Sequence, residues 1–396
     1  MSLPQRRLAL IMVCLFAVAI STNYTNQGPL LGLISEELRL SASEAGIVAT
    51  SFFAGAASTM LAGGVLAERF GSRRLVTIGF LLVVISNVAS GLLAASFPAL
   101  IAWRAIGGIG GGIGFVAGAA YTRGMFVDRG AHLAQGLYGA SFLLGSGIAL
   151  LVIPALAGAE GDWRRAFVVS GLGIGVAWVA WLLFAPRPAQ AAARAAGESL
   201  ASAIRSRNSW LLGLCHMCGF GLAMVLGTWV TGYLAGSFGL PLTQAGAAGS
   251  LLLVTGIASR SAGGGILERG VPPVRLIQAS LGLAALGLLV MALPGRPLWL
   301  ALAGLLLTGL GVGLPYAAVF NGAAASSPDS PASAQAFVGW AGVLVAVLGP
   351  PVVGALLDST GSFSAGFAVL AGFALAVLLG TTLLLPITFA SEAAKG

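Results

Sequence analysis

The stretch GGVLAERFGSRR, residues 63–74, decides the fold of this chain of 396 residues. It stands between two apolar runs, near 44–67 and 75–95, and concentrates an acid, three bases and several glycines in a few positions. Charge that is confined to short segments between long apolar runs is typical of the loops of a membrane protein.

The composition agrees with that interpretation. The chain is 58% hydrophobic and 8% charged, with a mean hydropathy of +0.97, whereas a soluble domain has about 25% charged residues. Apolar runs of about 20 residues, the length of a helical span, recur along the chain. A membrane β-barrel would alternate apolar and polar residues. The sequence therefore predicts an all-α integral membrane protein, with the lipid bilayer as its surroundings.

Twelve membrane spans are predicted. They lie near 8–33, 44–67, 75–95, 99–121, 132–157, 163–184, 209–235, 244–267, 275–293, 298–320, 334–356 and 364–385. The polar segment 185–209, rich in Ala, Pro, Arg and Ser, is interpreted as a cytoplasmic linker. This gives an N-terminal six-helix bundle (1–184), the linker and a C-terminal six-helix bundle (210–396).

The basic residues predict the orientation. With the N-terminus inside, fourteen of them fall on the cytoplasmic face and four on the other, which places both termini in the cytoplasm of a cell whose inner membrane holds the chain. The net charge of +8 follows from this topology and does not indicate nucleic acid. The N-terminus has no small-residue cleavage site, so the first helix is expected to be retained. The three cysteines lie in apolar spans and imply no disulfide framework.

The two halves repeat with an offset of 200 residues. EAG at 44–46 matches QAG at 244–246, GG at 63–64 matches 263–264, ER at 68–69 matches 268–269, and AQ at 134–135 matches 334–335. A constant offset over several elements indicates two homologous halves. Alternating-access transporters are built from such repeats, with the substrate site between the halves near the bilayer midplane.

These motifs resemble those of the major facilitator superfamily. The loop at 63–74 resembles the signature between its second and third helices, RAIGGIGGG at 104–112 resembles its fourth-helix motif, and GDWRRAF at 161–167 resembles its fifth loop. The resemblance implies a secondary transporter with twelve helices in two pseudo-symmetric bundles, commonly a monomer. It assigns motif and gating roles to Gly64, Glu68, Arg69, Gly71, Arg73, Asp128 and Arg104.

A charge cluster of Glu68, nearby arginines and Asp128 is expected to hold the cytoplasmic side shut in one state and to open in the other. The alternative is that these are ordinary topology-setting charges. Three roles are open for Arg104: orienting a neighbouring helix, assisting coupling, or contacting the substrate directly.

Arg260 is the principal candidate for substrate binding. It precedes Glu268, at the cytoplasmic rim, by eight residues, which puts it about 12 Å deep. A cation at that depth is costly and indicates function. The twelve acids all lie in loops or at helix ends, so we expect an anionic substrate to act as counter-ion. The alternative is that Arg260 snorkels to the cytoplasm or bonds to carbonyl groups.

The surroundings of Arg260, RSAGG before ERG, resemble the eighth helix of the oxalate/formate, monocarboxylate and nitrate/nitrite porters, in which an Arg contacts the anion. Two features depart from these groups. Met60 stands where nitrate porters have a second Arg, and the eleventh helix has no Lys. One central charge favours a small monoanion.

Polar and aromatic residues in the spans are further candidates. For the polar stretch STNYTNQG, residues 21–28, two roles remain open: contact with the substrate and hydrogen bonding between helices. The candidates for substrate binding are Asn23, Tyr24, Asn26, Tyr316 and Trp340. His216 is a candidate proton carrier, because its side chain titrates near neutral pH; the alternative is a histidine that bonds between helices.

Other functions are less well supported. CHMC at 215–218 supplies half of a zinc site and lacks the other half, so neither a metal nor a cofactor is expected. No clustered catalytic groups indicate an enzyme. A transport-like sensor would carry a larger soluble domain. The main alternative is a proton-coupled exporter of drugs or neutral metabolites, which usually embeds a carboxylate in its first or fourth helix.

Overall fold

The computed structural model describes residues 3–126, 131–187, 201, 203–327 and 331–383, without the side chains of 3, 64, 65, 68 and 131–133. Over these ranges the chain is helical and contains no strand. Twelve helical segments are long and apolar enough to cross a bilayer. The predicted all-α protein with twelve spans is therefore confirmed.

The helices are α1 (Leu3–Thr25), α2 (Leu31–Leu38), α3 (Ala42–Phe70), α4 (Ser72–Leu92), α5 (Phe97–Met125), α6 (Ala131–Ala157), α7 (Trp163–Phe184), α8 (Arg207–His216), α9 (Leu222–Phe238), α10 (Leu242–Glu268), α11 (Pro273–Ala292), α12 (Leu298–Gly313), α13 (Tyr316–Ala325), α14 (Pro331–Thr360) and α15 (Phe363–Gly380).

Three of the predicted spans are interrupted. The first turns after Thr25 into a 3-10 segment, Gly28–Leu30, and the seventh contains a π-helix, Met217–Gly221. The tenth breaks after Gly313, because Pro315 has no N–H to donate to the Gly311 carbonyl and its ring crowds that carbonyl. Short π-helical turns and broken spans are frequent at functional sites.

Gly71 explains the turn in the opening stretch. Its φ of +86° ends α3, and α4 begins at the next residue, Ser72. Side chains with a Cβ rarely adopt that conformation. A one-residue connection between two spans therefore needs glycine at this position.

The contacts divide the chain into two units. The first comprises Met1–Arg194 and Gly227–Ser250. In it α5 packs on α3 and α4, α4 on α7, and α1 on α6. The α3–α5 contact is made by backbone: a Cβ at Gly108 would meet the carbonyl oxygen of Phe52, and a Cβ at Gly112 that of Ala56. Close approach of small residues is a usual way of joining helices in lipid.

The second unit comprises Ala195–Leu226 and Leu251–Gly396. In it α11 packs on α12 and α15, and α8 and the π-helix pack on α14. The α10–α12 contact is again close, since a Cβ at Gly313 would meet the Gly256 carbonyl and the Ser259 hydroxyl. The division of the chain into bundles at 1–184 and 210–396 stays a prediction.

Hydrogen bonds within the two units repeat with the predicted offset of 200, apart from a shift of one residue at the acceptor Phe320. Thr59 donates to the carbonyl of Ile109 at 3.2 Å, and Ser259 donates to that of Gly309 at 3.3 Å. Gln135 donates to the carbonyl of Ala119 at 2.8 Å, and Gln335 to that of Phe320 at 3.1 Å. The repeat is therefore present in packing as well as in sequence.

Replacing Gly108 by Ala should destabilise the fold, because the added methyl group meets the Phe52 carbonyl. Overpacking of this kind costs about 1–3 kcal/mol. The unfolding temperature of the detergent-solubilised variant should fall by several degrees. Gly173→Ala in α7 is the matched control, since nothing lies within 4 Å of its Cβ position. Equal unfolding temperatures for the two variants would contradict the close α3–α5 contact.

Candidate functional site

Arg260 lies in α10, in the part of that helix that packs closely on α12. Its guanidinium carbon is 4.2 Å from the centroid of the Tyr316 ring, which is a cation–π distance. Tyr316 is the first residue of α13, directly after the break at Pro315. Arg260 and Tyr316 are both partly exposed. The helix break at Pro315 and the close contact between α10 and α12 thus place the Arg260 cation on the face of the Tyr316 ring.

Three further rings continue this surface within the second unit. The ring centroids of Tyr316 and Phe320 are 4.6 Å apart, and those of Phe320 and His216 are 4.9 Å apart in an edge arrangement. His216 stacks on Phe220 at 5.9 Å and lies 6.3 Å from Tyr316. We call His216, Phe220, Tyr316 and Phe320 the aromatic cluster. It forms a continuous apolar surface that ends at the Arg260 cation.

Irregular helix geometry and a glycine shape this cluster. Phe220 lies in the π-helix, which follows His216 directly. A Cβ at Gly342 in α14 would collide with the imidazole and lie 3.0 Å from its Nε2 atom. The space that His216 occupies is therefore made by the missing side chain of Gly342.

Trp340 packs against a second group of rings, and its role in substrate binding stays a prediction. Its ring centroid is 5.9 Å from that of Phe337, and Phe337 lies 4.9 Å from Trp210 in an edge arrangement. Tyr316, by contrast, is brought to Arg260. Of the predicted candidates in the second unit, the structure joins Arg260, Tyr316 and His216.

Arg104 is the centre of a separate polar network in the first unit, and it is fully buried. It donates to Asn26 Oδ1 at 3.0 Å, to the carbonyl of Asn23 at 2.8 Å and to Gln27 Oε1 at 2.6 Å. Asn87 bonds to Asn23 and Asn26 and anchors them to α4. The guanidinium also lies over the rings of Phe52 and Phe167, at 5.0 and 5.7 Å.

These bonds give Asn23 and Asn26 a structural use in this conformation. Both are fully buried, and their amide groups join α1 to α4 and α5. Tyr24 is also buried, among the rings of Phe52, Phe53 and Phe142 at 5.6, 5.6 and 5.9 Å. Two roles were considered for the polar stretch, substrate contact and bonding between helices. In this conformation Asn23 and Asn26 form hydrogen bonds between helices.

The signature loop makes contacts that the sequence did not predict. Arg73 donates to the carbonyls of Leu182 and Ala185 at 3.0 Å each, at the C-terminal end of α7, where a cation is favoured. The Arg69 guanidinium is 5.3 Å from the Phe70 ring centroid. Gly64 lies within α3. Asp128 and the Glu68 side chain lie outside the described part, so the ionic gate stays a prediction.

Several contributing residues were missed by sequence reasoning. Glu37 accepts from Arg164 at 2.7 Å and from the Trp163 indole at 2.6 Å, and so ties α2 to the start of α7. The motif at 161–167 indicated Trp163 and Arg164, but nothing in it indicated Glu37. Phe220, Phe320 and Gln27 were also missed. The glycines around Phe220 and the proline before Tyr316 are the signals that point to the aromatic cluster.

No group of three or more His, Cys, Asp or Glu side chains within the described ranges is placed to hold a metal ion. The Cys215 and Cys218 thiols are buried in the second unit. The chemistry of the site is therefore that of a guanidinium, a phenol, an imidazole and two phenyl rings.

Twelve spans, broken helices and a cation at membrane depth define a multi-pass membrane transport protein. The family model described as Major Facilitator Superfamily matches residues 12–333, and the chain belongs to that superfamily. This confirms the family predicted from the signature loop.

The chain is similar to three curated proteins. It is 28% identical to a probable sulfoacetate transporter of Cupriavidus necator over 67% of this chain and 65% of that protein, so it spans about two thirds of that relative's length. It is 26% identical to the probable anion transporter 6, chloroplastic, of Arabidopsis thaliana over 92% of this chain and 75% of that protein. It is 23% identical to the nitrite extrusion protein of Bacillus subtilis over 79% and 78%.

Solved structures show the same fold. A bacterial homolog of the human lysosomal transporter Spinster superposes with a TM-score of 0.79 at 18% identity, covering 97% of this chain and 96% of that one. The xylose transporter XylE from E. coli superposes with a TM-score of 0.76 at 15% identity, covering 97% and 99%. These likenesses show that the fold is shared over 97% of the chain.

Replacing Arg104 by Gln should lower the stability of the fold. The change leaves buried acceptors on Asn26 and Gln27 without their donor, and each such loss costs about 1–3 kcal/mol. The measurement is the unfolding temperature of the purified variant beside that of the wild type. An unchanged unfolding temperature would contradict the structural role of the network.

Proposed function

We propose that this chain is a secondary transporter of a small anion, which binds at Arg260 and crosses by alternating access. We further propose that it lies in the inner membrane with both termini in the cytoplasm, as the distribution of basic residues predicts. One observation carries the proposal: Arg260, which lies within an apolar span, is partly exposed and its guanidinium lies on the Tyr316 ring.

The chemistry of guanidinium supports an anionic ligand. Its planar fork of donors matches the oxygen atoms of carboxylates and other oxyanions, and it binds them in bidentate fashion. Holding a cation in the apolar part of a membrane protein is costly. An anion that arrives at a partly accessible guanidinium offsets that cost and gains charge-assisted hydrogen bonds.

The relatives support the same class of ligand. The names of these relatives refer to sulfoacetate, to an anion and to nitrite, and sulfoacetate and nitrite both carry oxygen acceptors. The aromatic cluster beside Arg260 favours an anion with a small organic body, because the rings offer an apolar surface next to the charge.

Arg260→Ala should abolish stabilisation of the protein by anions. The panel consists of nitrate, nitrite, formate, lactate, sulfoacetate and oxalate, with two cationic drugs as the alternative class. At 100 times Kd a ligand stabilises the folded state by about 2.7 kcal/mol. The measurement is the shift in unfolding temperature for each compound with wild type and variant.

Two further variants sharpen that test. Arg269→Ala removes an exposed cation one residue beyond the end of the same helix, and its response should equal that of the wild type. Arg260→Lys keeps the charge and loses the fork, so binding should weaken without disappearing. Stabilisation by the cationic drugs in wild type and Arg260→Ala alike would indicate an exporter of another substrate class.

Tyr316 should contribute through its ring. Tyr316→Phe keeps the aromatic face under Arg260, whereas Tyr316→Leu removes a contact worth about 0.5–2 kcal/mol. The affinity for the best anion of the panel should therefore fall roughly 2- to 30-fold in Tyr316→Leu and by less in Tyr316→Phe, measured by calorimetric titration. Equal affinities for the two variants would show that the ring does not position the guanidinium.

A further inference from the structure

His216 is a buried titratable group that anion binding at Arg260 leaves unexplained. Its side chain is 7% exposed and lies between Phe220, Phe320 and Tyr316, with ring centroids 5.9, 4.9 and 6.3 Å away. No side chain or carbonyl of the described residues makes a hydrogen bond to the imidazole. The imidazole is therefore held by packing against the neighbouring rings. Among the described residues, its nitrogen atoms do not form hydrogen bonds that join helices.

The fold keeps this imidazole close to the anion site. The Cβ position of Gly342 lies 3.0 Å from the imidazole Nε2 atom, so α14 leaves room for this ring and no more. Tyr316 lies near both groups: its ring centroid is 6.3 Å from that of the imidazole and 4.2 Å from the Arg260 guanidinium carbon. The position of His216 therefore depends on the same helix break that presents Tyr316 to Arg260.

The charged and titratable groups around His216 are few. From α10 the group is Arg260, and from α13 it is Tyr316; α14 presents Gly342, which carries no side chain. Cys215 and Cys218 are the titratable side chains nearest to it along its own span. In this part of the described chain no carboxylate balances a proton on His216.

Electrostatics then links His216 to the ligand. The imidazole and the guanidinium both lie near the Tyr316 ring, so they are within roughly 10 Å of each other. At an effective dielectric constant of about 20, two charges at this distance change a binding equilibrium roughly tenfold. A positively charged imidazole and the guanidinium repel each other when no anion is bound. An anion on Arg260 offsets that repulsion, and by linkage a proton on His216 strengthens anion binding by the same factor.

We propose that His216 is the proton-binding site of this transporter, and that the anion on Arg260 and a proton on an imidazole nitrogen bind together. The inference rests on the proposed anion site. The proton enters on the imidazole and leaves with the anion, and no covalent bond to the anion is made or broken. For a monoanion this coupling gives electroneutral symport.

The test is the pH dependence of anion affinity in wild type, His216→Gln and His132→Gln, which replaces the other histidine of the chain. The probes are nitrate and ethanesulfonate, which stay ionised between pH 5.5 and 8. Wild type and His132→Gln should bind about tenfold more tightly at pH 5.5 than at pH 8. The affinity of His216→Gln should be independent of pH over this range.

A second measurement uses the wild type alone. Titration calorimetry in buffers of different ionisation enthalpy gives the number of protons taken up with each anion, which for a tenfold coupling should rise above zero and reach at most about half a proton. Anion binding that takes up no proton, or an equal pH dependence in His216→Gln, would overturn the coupling while the anion site stands. Failure of both probes to bind at any pH would instead overturn the anion site and the coupling together.

Discussion

A guanidinium group inside a membrane protein must be solvated by the protein or by a ligand, because bulk water is not there to do it. This chain meets the requirement in two ways. Arg104 is fully buried, and amide and carbonyl oxygens of Asn23, Asn26 and Gln27 accept its hydrogen bonds. Arg260 lies on an aromatic face and keeps accessible surface. The first arrangement lies within one unit, and the second suits a ligand.

Backbone irregularity makes the second arrangement possible. A continuous tenth span would not present Tyr316 as the first residue of a helix; the missing N–H of Pro315 breaks the span there. The π-helix at Met217–Gly221 has a wider turn than an α-helix, and it interrupts the seventh span directly after His216. Close contacts at Gly313 and Gly342 then bring α10 and α14 up to these irregular segments. Local departures from regular helix thus position the aromatic cluster and the cation.

Much of this was accessible from the sequence, and the limits have physical causes. The spans, the repeat and the family follow from apolar runs, a constant offset and a specific loop, and Arg260 stood out because a cation in an apolar run is costly. Asn23 and Asn26 remained ambiguous, since amides serve ligands and helix contacts alike. Phe220 and Phe320 could not be identified, because aromatic residues in apolar spans carry no periodic signal and their meeting depends on helix breaks. Gln27 was missed for a related reason: its partner Arg104 is 77 residues away.

The most direct measurement is the uptake of labelled sulfoacetate and nitrate into proteoliposomes that contain wild type, Arg260→Ala or Arg269→Ala, at equal protein content. The account predicts accumulation of at least one of the two anions with wild type and Arg269→Ala, and background uptake with Arg260→Ala. Transport of that anion by Arg260→Ala at the wild-type rate would contradict the account, since the guanidinium would then have no part in moving the anion.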